Sequence, residues 1–231
     1  VCQGNERSHS IISETLKRNL PISGHVFGRE FVAAYAASGV TDTHEAEEKL
    51  FTNDLLDAGL WIFLRGGNPK TPWNSMKEAI KVLTENNVSS KRVCVCTDDR
   101  DADDLFNFGL DWVVKQAHEL GIEKTTSWSM GSLHPATRYN IDRDYGALGH
   151  SRRADIVMIN DNLEVLNTWI GGHLAVENKK ISLSPFLIRE KSALIPIAKP
   201  KEDKIIDFPA PVSPEKAENP DEGDRSLNYP N

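Results

Sequence analysis

Three residues of this chain could do chemistry together: His25, His44 and Asp98. Two imidazoles and a carboxylate suit a divalent transition metal, and on ligand type manganese, iron and zinc all qualify. Each residue closes a short run that reads as a strand. His25 ends Pro21-Ile22-Ser23-Gly24-His25, and His44 stands near the end of Val40-Thr41-Asp42-Thr43-His44-Glu45. Asp98 follows Val93-Cys94-Val95-Cys96-Thr97, whose β-branched and small apolar residues fit a strand covered on both faces. The abrupt change to Asp98-Asp99-Arg100 marks its carboxyl end, where α/β enzymes keep their chemistry. Singly these signals are weak. A Gly-His at a strand end is more often a turn or a satisfied histidine, and a strand-end aspartate is also a common helix cap. The repetition carries the weight, because three strand ends bearing ligand-type residues could face one mouth.

Facing one mouth requires parallel strands separated by helices. Residues 11–20 mix apolar and charged residues at helical spacing, and Pro21 stops them. Residues 31–38 predict a small-residue helix capped by Gly39. The acidic run after His44, through Leu56, predicts an exposed helix. Residues 60–64 are continuously apolar and end in Arg65-Gly66-Gly67, residues 73–86 are helical in pattern, and the strand over 93–96 follows. Four strands alternating with helices predict a parallel sheet. That is half of a (β/α)8 barrel, which typically needs about 250 residues. Residues 104–120 predict one amphipathic helix and 124–140 another.

The pattern changes from Asp144. A turn over 146–150, strands over 154–159 and 165–170, and a Gly171-Gly172 hairpin leading into 174–176 predict a small β unit beside the α/β part. Residues 199–231 hold half of the chain's 12 prolines, many charges and few large apolar groups. That composition cannot offset ordering entropy, so this tail is expected to be mostly disordered. The expected organisation is a partial barrel over 1–143, a β segment over 144–198 and the tail over 199–231.

Composition narrows the partners. A net charge of −7 over 231 residues argues against nucleic acid or an anionic membrane surface. No apolar run reaches the roughly 20 residues of a membrane span, and no signal-peptide pattern is present. The three cysteines are odd in number, and Cys94 and Cys96 lie on one strand face, where they cannot easily bridge. A reducing, cytoplasmic setting is expected.

The ordered set of Ser23-Gly24-His25, His44-Glu45 before an acidic helix, the strand ending in Arg65, and Cys96-Thr97-Asp98-Asp99-Arg100 resembles the bacterial adenine deaminases of the amidohydrolase superfamily. Gly146-Ala147-Leu148-Gly149 and Ala154-Asp155-Ile156-Val157 resemble that superfamily's return into its composite β domain, so the resemblance runs from about residue 8 to about residue 180. It implies the C-terminal half of a metal-dependent (β/α)8 barrel, strands five to eight, followed by a small β-sandwich-like segment. It also implies hydrolysis of adenine to hypoxanthine and ammonia at a divalent manganese, iron or zinc centre. His25 and His44 would be ligands from the fifth and sixth barrel strands. Asp98, from the eighth, would contact the metal and take a proton from the attacking water, with a second carboxylate helping ammonia leave. Glu45, Arg65, Asp99 and Arg100 would orient water or a purine-like substrate, or form salt bridges only. The implied partner is the upstream half of the barrel, in cis or as a second chain, with self-association into a homo-oligomer also open.

Departures from the family pattern keep other readings in play. The family's His-x-His pair and a strand-four glutamate would lie before Val1. Relatives carry Arg-Glu-Gly-Ser where this chain has Arg65-Gly66-Gly67-Asn68, so one carboxylate near the mouth is lost. His134, in Leu133-His134-Pro135-Ala136, is expected to start a helix rather than bind a metal. An amidohydrolase acting on another cyclic amidine or amide, and a non-catalytic interaction module, therefore stand as alternatives.

Overall fold

Ile62 and Leu64 are fully buried while Trp61, Phe63 and Arg65 between them are only partly covered, the period-two alternation of a strand with one well-packed face. A computed structural model of the protein describes residues 5–67 and 75–182. In it the strands β1 (Asp42–Thr43), β2 (Trp61–Arg65) and β3 (Val93–Cys96) form a parallel sheet in the order β1-β2-β3. An isolated parallel bridge from Ser23 to Asp42 lays the preceding segment beside β1. The register pairs Ile62 with Val93, Leu64 with Val95 and Arg65 with Cys96, so like faces lie side by side.

Eight α-helices accompany the sheet among the described residues. They are α1 (Glu6–Lys17), α2 (Val32–Ser38), α3 (Lys49–Asp57), α4 (Lys81–Glu85), α5 (Ala102–Asn107), α6 (Leu110–Glu119), α7 (Lys124–Met130) and α8 (Leu133–Arg138). Leu55 of α3, Val113, Val114 and Ala117 of α6, and Met130 of α7 join Ile62, Leu64, Val93 and Val95 in one core. Each such large aliphatic side chain contributes about 1.5–3 kcal/mol on burial. The strand over 93–96 is buried on both faces as expected, whereas β2 is closed only on its helix side. Beyond the helical part, β4 (Ile156–Ile159), β5 (Val165–Ile170), β6 (His173–Glu177) and β7 (Lys180–Ile181) form an antiparallel sheet in that order. Among the described residues no helix is long and apolar enough to cross a membrane.

Several elements depart from the pattern. The first helix begins at Glu6 because the Asn5 side chain accepts the Ser8 N–H at 3.0 Å, and it ends before Asn19, which has φ 55°. The acidic helix α3 is not wholly exposed, since Phe51, Thr52 and Leu55 are buried. The single helix expected over 104–120 is two, broken at Phe108-Gly109, where Gly109 is extended and caps α6. The helix expected over 124–140 likewise breaks at Gly131-Ser132 into α7 and α8. Both glycines keep ordinary backbone angles; at Gly131 the lack of a side chain matters for close packing, since a Cβ there would come within 2.8 Å of the Val114 side chain. Residues 76–80 are a turn ahead of the short α4, and the start of the expected helix at 73–74 lies outside the described residues, as does the tail reading for 199–231. Cys94 and Cys96 are both free thiols, and burial pushes each up to about 12.

One ion pair locks the far helix to the sheet. Arg138 of α8 pairs through Nη2 with Asp42 Oδ2 of β1, and the same nitrogen donates to Thr41 Oγ1 at 2.5 Å. Both side chains are almost completely buried. Replacing Asp42 by Ala strands a buried guanidinium without its carboxylate, so Asp42→Ala is expected to cost about 3–5 kcal/mol in urea unfolding.

Candidate metal and substrate site

Parallel pairing sends consecutive strand ends to the same side of the sheet, and the candidate residues sit there. His25 lies two residues beyond the Ser23 bridge, His44 directly follows β1, Arg65 is the last residue of β2, and Asp98 is two residues past β3. Thr43 ties the first two loops together. Its buried hydroxyl accepts the Val26 N–H at 3.3 Å and the Glu45 N–H at 3.2 Å. The loops bearing His25 and His44 are thereby held against each other from inside.

His25, His44 and Glu45 bring one ligand atom each within 4.8 Å of one another. His25 Nδ1 lies 2.6 Å from Glu45 Oε1, and His44 Nε2 lies 3.4 Å from the same oxygen. The two imidazoles meet edge to face with ring centroids 4.4 Å apart, and His25 stacks on Phe27 at 5.5 Å. Glu45 is only 7% exposed, whereas the His25 side chain is 59% exposed. A buried carboxylate between two imidazoles matches the donor chemistry of a divalent transition metal.

Asp98 stands outside that group but is linked to it. Arg65 Nη1 donates to Asp98 Oδ2 at 3.0 Å, while Arg65 Nη2 pairs with Glu45 Oε2 at 3.1 Å and also with Glu47. The other Asp98 oxygen accepts the Asp99 N–H at 2.8 Å. Asp98 adopts φ 57°, a left-handed conformation that aspartate tolerates better than most residues and that brings its carboxylate toward Arg65. Partial burial pushes the Asp98 carboxyl up, but the Arg65 hydrogen bond, the Asp99 N–H and the nearby His44 and Arg65 charges pull it below the ordinary carboxylate value. Burial lowers the Arg65 guanidinium, and the surrounding Asp98, Glu45 and Glu47 carboxylates more than reverse that.

His25, His44, Glu45, Glu47, Arg65, Asp98 and Asp99 line a cleft of about 660 Å³, with Phe27 and Phe51 among its apolar walls. Arg100 does not line it. Its guanidinium donates to the carbonyls of Thr97, at 3.1 Å, Phe108 and Gly66, and so staples the loop after β3 to its neighbours. His134 is in helix α8, where its Nδ1 lies 2.8 Å from the Val93 carbonyl at the opposite end of β3. A larger, mainly apolar groove of about 940 Å³, lined by Trp128, Tyr139 and Trp169 among others, shares no residue with this cleft. Thr43, Phe27 and Glu47 carry no motif of their own. Only Thr43's place beside His44 hinted at its role.

Comparison with known proteins follows from this arrangement. No family model matches the chain. Over 182 residues, 79% of its length, it is 60% identical to the adenine deaminase of Bradyrhizobium sp. strain BTAi1. Over that stretch the chain is similar to adenine deaminases. It spans 30% of that relative's length. Among solved structures, the β-aspartyl dipeptidase of Fervidobacterium islandicum AW-1 superposes with a TM-score of 0.55 at 14% identity, over 71% of this chain and 48% of that one. An amidohydrolase from Thermotoga maritima MSB8 gives 0.54 at 14%, over 71% and 45%. At such identities these likenesses show an amidohydrolase fold and nothing finer.

Gly66 stands where the family resemblance places a glutamate. A Cβ there would come within 2.6 Å of the Val113 side chain, so the space is already filled by α6. Gly66→Ala is expected to destabilise the chain by about 1–3 kcal/mol through overpacking, read from urea midpoints.

The lowered Asp98 pKa sets a direction for acid stability. Its contribution is fully present above the unfolded carboxylate value, about 3.9, and is lost as pH falls through the lower folded value. Urea midpoints of Asp98→Asn between about pH 3 and 6 are therefore expected to fall less steeply with acid than those of the parent chain.

Proposed function

We propose that this chain forms the C-terminal half of an adenine deaminase barrel, strands five to eight, and that with the rest of such a barrel, in cis or as a second chain, it hydrolyses adenine to hypoxanthine and ammonia. The reading rests on one observation: a chain 60% identical over 182 residues to a named adenine deaminase brings His25, His44, Glu45, Arg65 and Asp98 together at one cleft. In this reading residues 1–143 are the partial barrel and 144–198 part of a composite β segment. Among the described residues, the buried Cys94 and the half-buried Cys96 are free thiols, which supports a reducing, cytoplasmic location.

His25 and His44 would hold a divalent manganese, iron or zinc ion, with Asp98 as a further contact and Glu45 close enough to join them. When bound, such an ion supplies Lewis acidity that brings the pKa of water from about 15.7 towards 7. Asp98, kept ionised by Arg65, is in the protonation state needed to accept a proton from the attacking water. Water adds at C6 of adenine, the bond from C6 to the exocyclic nitrogen breaks, and a carboxylate returns the proton to the departing ammonia. Glu45, buried and within reach of both imidazoles, is the carboxylate best placed for that return. Phe27, 72% exposed on the cleft wall, offers an apolar ring beside His25 for a flat heterocycle. The loss of a carboxylate at Gly66 supports the second reading, a related amidohydrolase that acts on a different cyclic amidine or amide.

Two measurements decide between these readings and an inert module. Elemental analysis of the desalted chain is expected to find about one transition metal per chain, lost in His25→Ala and His44→Ala. Co-expression with the matching N-terminal portion of a relative is expected to release ammonia from adenine, and Asp98→Ala to lower that rate at least about 100-fold. No ammonia from adenine, with turnover of another cyclic amidine in a substrate panel, would favour the second reading. No metal and no turnover would leave the inert module.

A further inference from the structure

Three carboxylates, from Glu45, Glu47 and Asp98, converge on one cation at the cleft, the guanidinium of Arg65, whose side chain is only 12% exposed. Glu45 and Glu47 follow β1, Arg65 ends β2 and Asp98 follows β3, so the guanidinium spans the whole width of the three-stranded sheet. Two different nitrogens do the work: Nη1 takes Asp98 Oδ2 at 3.0 Å, and Nη2 takes Glu45 Oε2 at 3.1 Å. A planar fork with separated donors fixes direction as well as distance, which a lysine ammonium cannot do for two carboxylates at once. Without a cation between them, Glu45 and Asp98 would repel and splay.

We propose that Arg65 is a positioning residue that acts through Asp98: by bridging it to Glu45, Arg65 sets where the Asp98 carboxylate stands relative to His25 and His44 before any metal arrives. This rests on the reading of His25, His44 and Asp98 as a metal site. The backbone fits the role. Asp98 sits in a left-handed conformation with one oxygen on the Asp99 N–H, so Arg65 is the group that orients the other oxygen. Arg100, two residues from Asp98, takes no part, because its donors go to backbone carbonyls.

The test uses the whole chain loaded with Co²⁺, reading affinity by competition with a chromophoric chelator and ligand geometry by visible d–d absorption. Arg65→Gln is expected to weaken Co²⁺ binding about tenfold or more and to change the visible spectrum, the usual scale for losing a group that orients a ligand. Arg65→Lys keeps a positive charge but loses the rigid planar fork, so it is expected to leave the spectrum altered. In an Asp98→Asn background, Arg65→Gln is expected to add less than about twofold, because the residue it acts through is already gone. Metal-free melting midpoints of all variants report folding separately. If Arg65→Gln binds Co²⁺ as tightly as the parent chain with the same spectrum, or if the two single losses multiply in the double variant, the positioning role is overturned. If the parent chain itself binds no Co²⁺, the metal-site reading fails and takes this proposal with it, an outcome distinct from a variant-only null effect.

Discussion

Parallel pairing of β1, β2 and β3 is the constraint on which the rest depends. Parallel strands deliver their carboxyl ends to one edge, so residues far apart in sequence arrive together without any direct attraction between them. The register does the rest. Arg65 pairs with Cys96, which puts Asp98 just past the end of β2 and within 3.0 Å of the Arg65 guanidinium. A shift of one residue would turn Ile62 and Leu64 out of the core and Arg65 into it. The apolar face of the sheet therefore holds the chemical edge in register.

The cleft is assembled in two tiers. Beneath it, hydrogen bonds to the backbone join loops to one another: Thr43 receives two backbone N–H groups, and Arg100 donates to three carbonyls. Above that, charge decides. Carboxylates outnumber guanidinium groups at the mouth, and the balance is kept by one arginine rather than by one partner for each acid. The protein's overall charge of −7 points the same way but without location.

The structure also shows what a short sequence motif conceals. In Thr97-Asp98-Asp99-Arg100 three charged residues stand in a row, yet they have three different fates. Asp98 faces Arg65, Asp99 lines the cleft and lends its N–H to Asp98, and Arg100 holds the loop from below. The left-handed backbone at Asp98 lies just after the strand, among these three residues. The same lesson holds at Gly66. A residue that reads as a lost carboxylate is, in space, a position that Val113 already occupies.

The sequence by itself determined the alternation of strands and helices, the strand ends that precede His44 and Asp98, and the family that those motifs resemble, whereas the strand expected over 21–25 before His25 is reduced to a single bridge at Ser23, leaving three strands in the parallel sheet where four were expected. It could do so because period-two and helical apolar patterns, and the polar break at each strand end, are local properties of the chain. It also placed His134 in a helix rather than at the site. Only the tertiary structure decided that Glu45 joins the two histidines, that Asp98 reaches them through Arg65, and that Thr43 anchors both loops. It also broke the helices expected over 104–120 and 124–140, at Phe108-Gly109 and at Gly131-Ser132. Contacts between residues 20 to 97 positions apart depend on register and packing, and no window of sequence contains both partners.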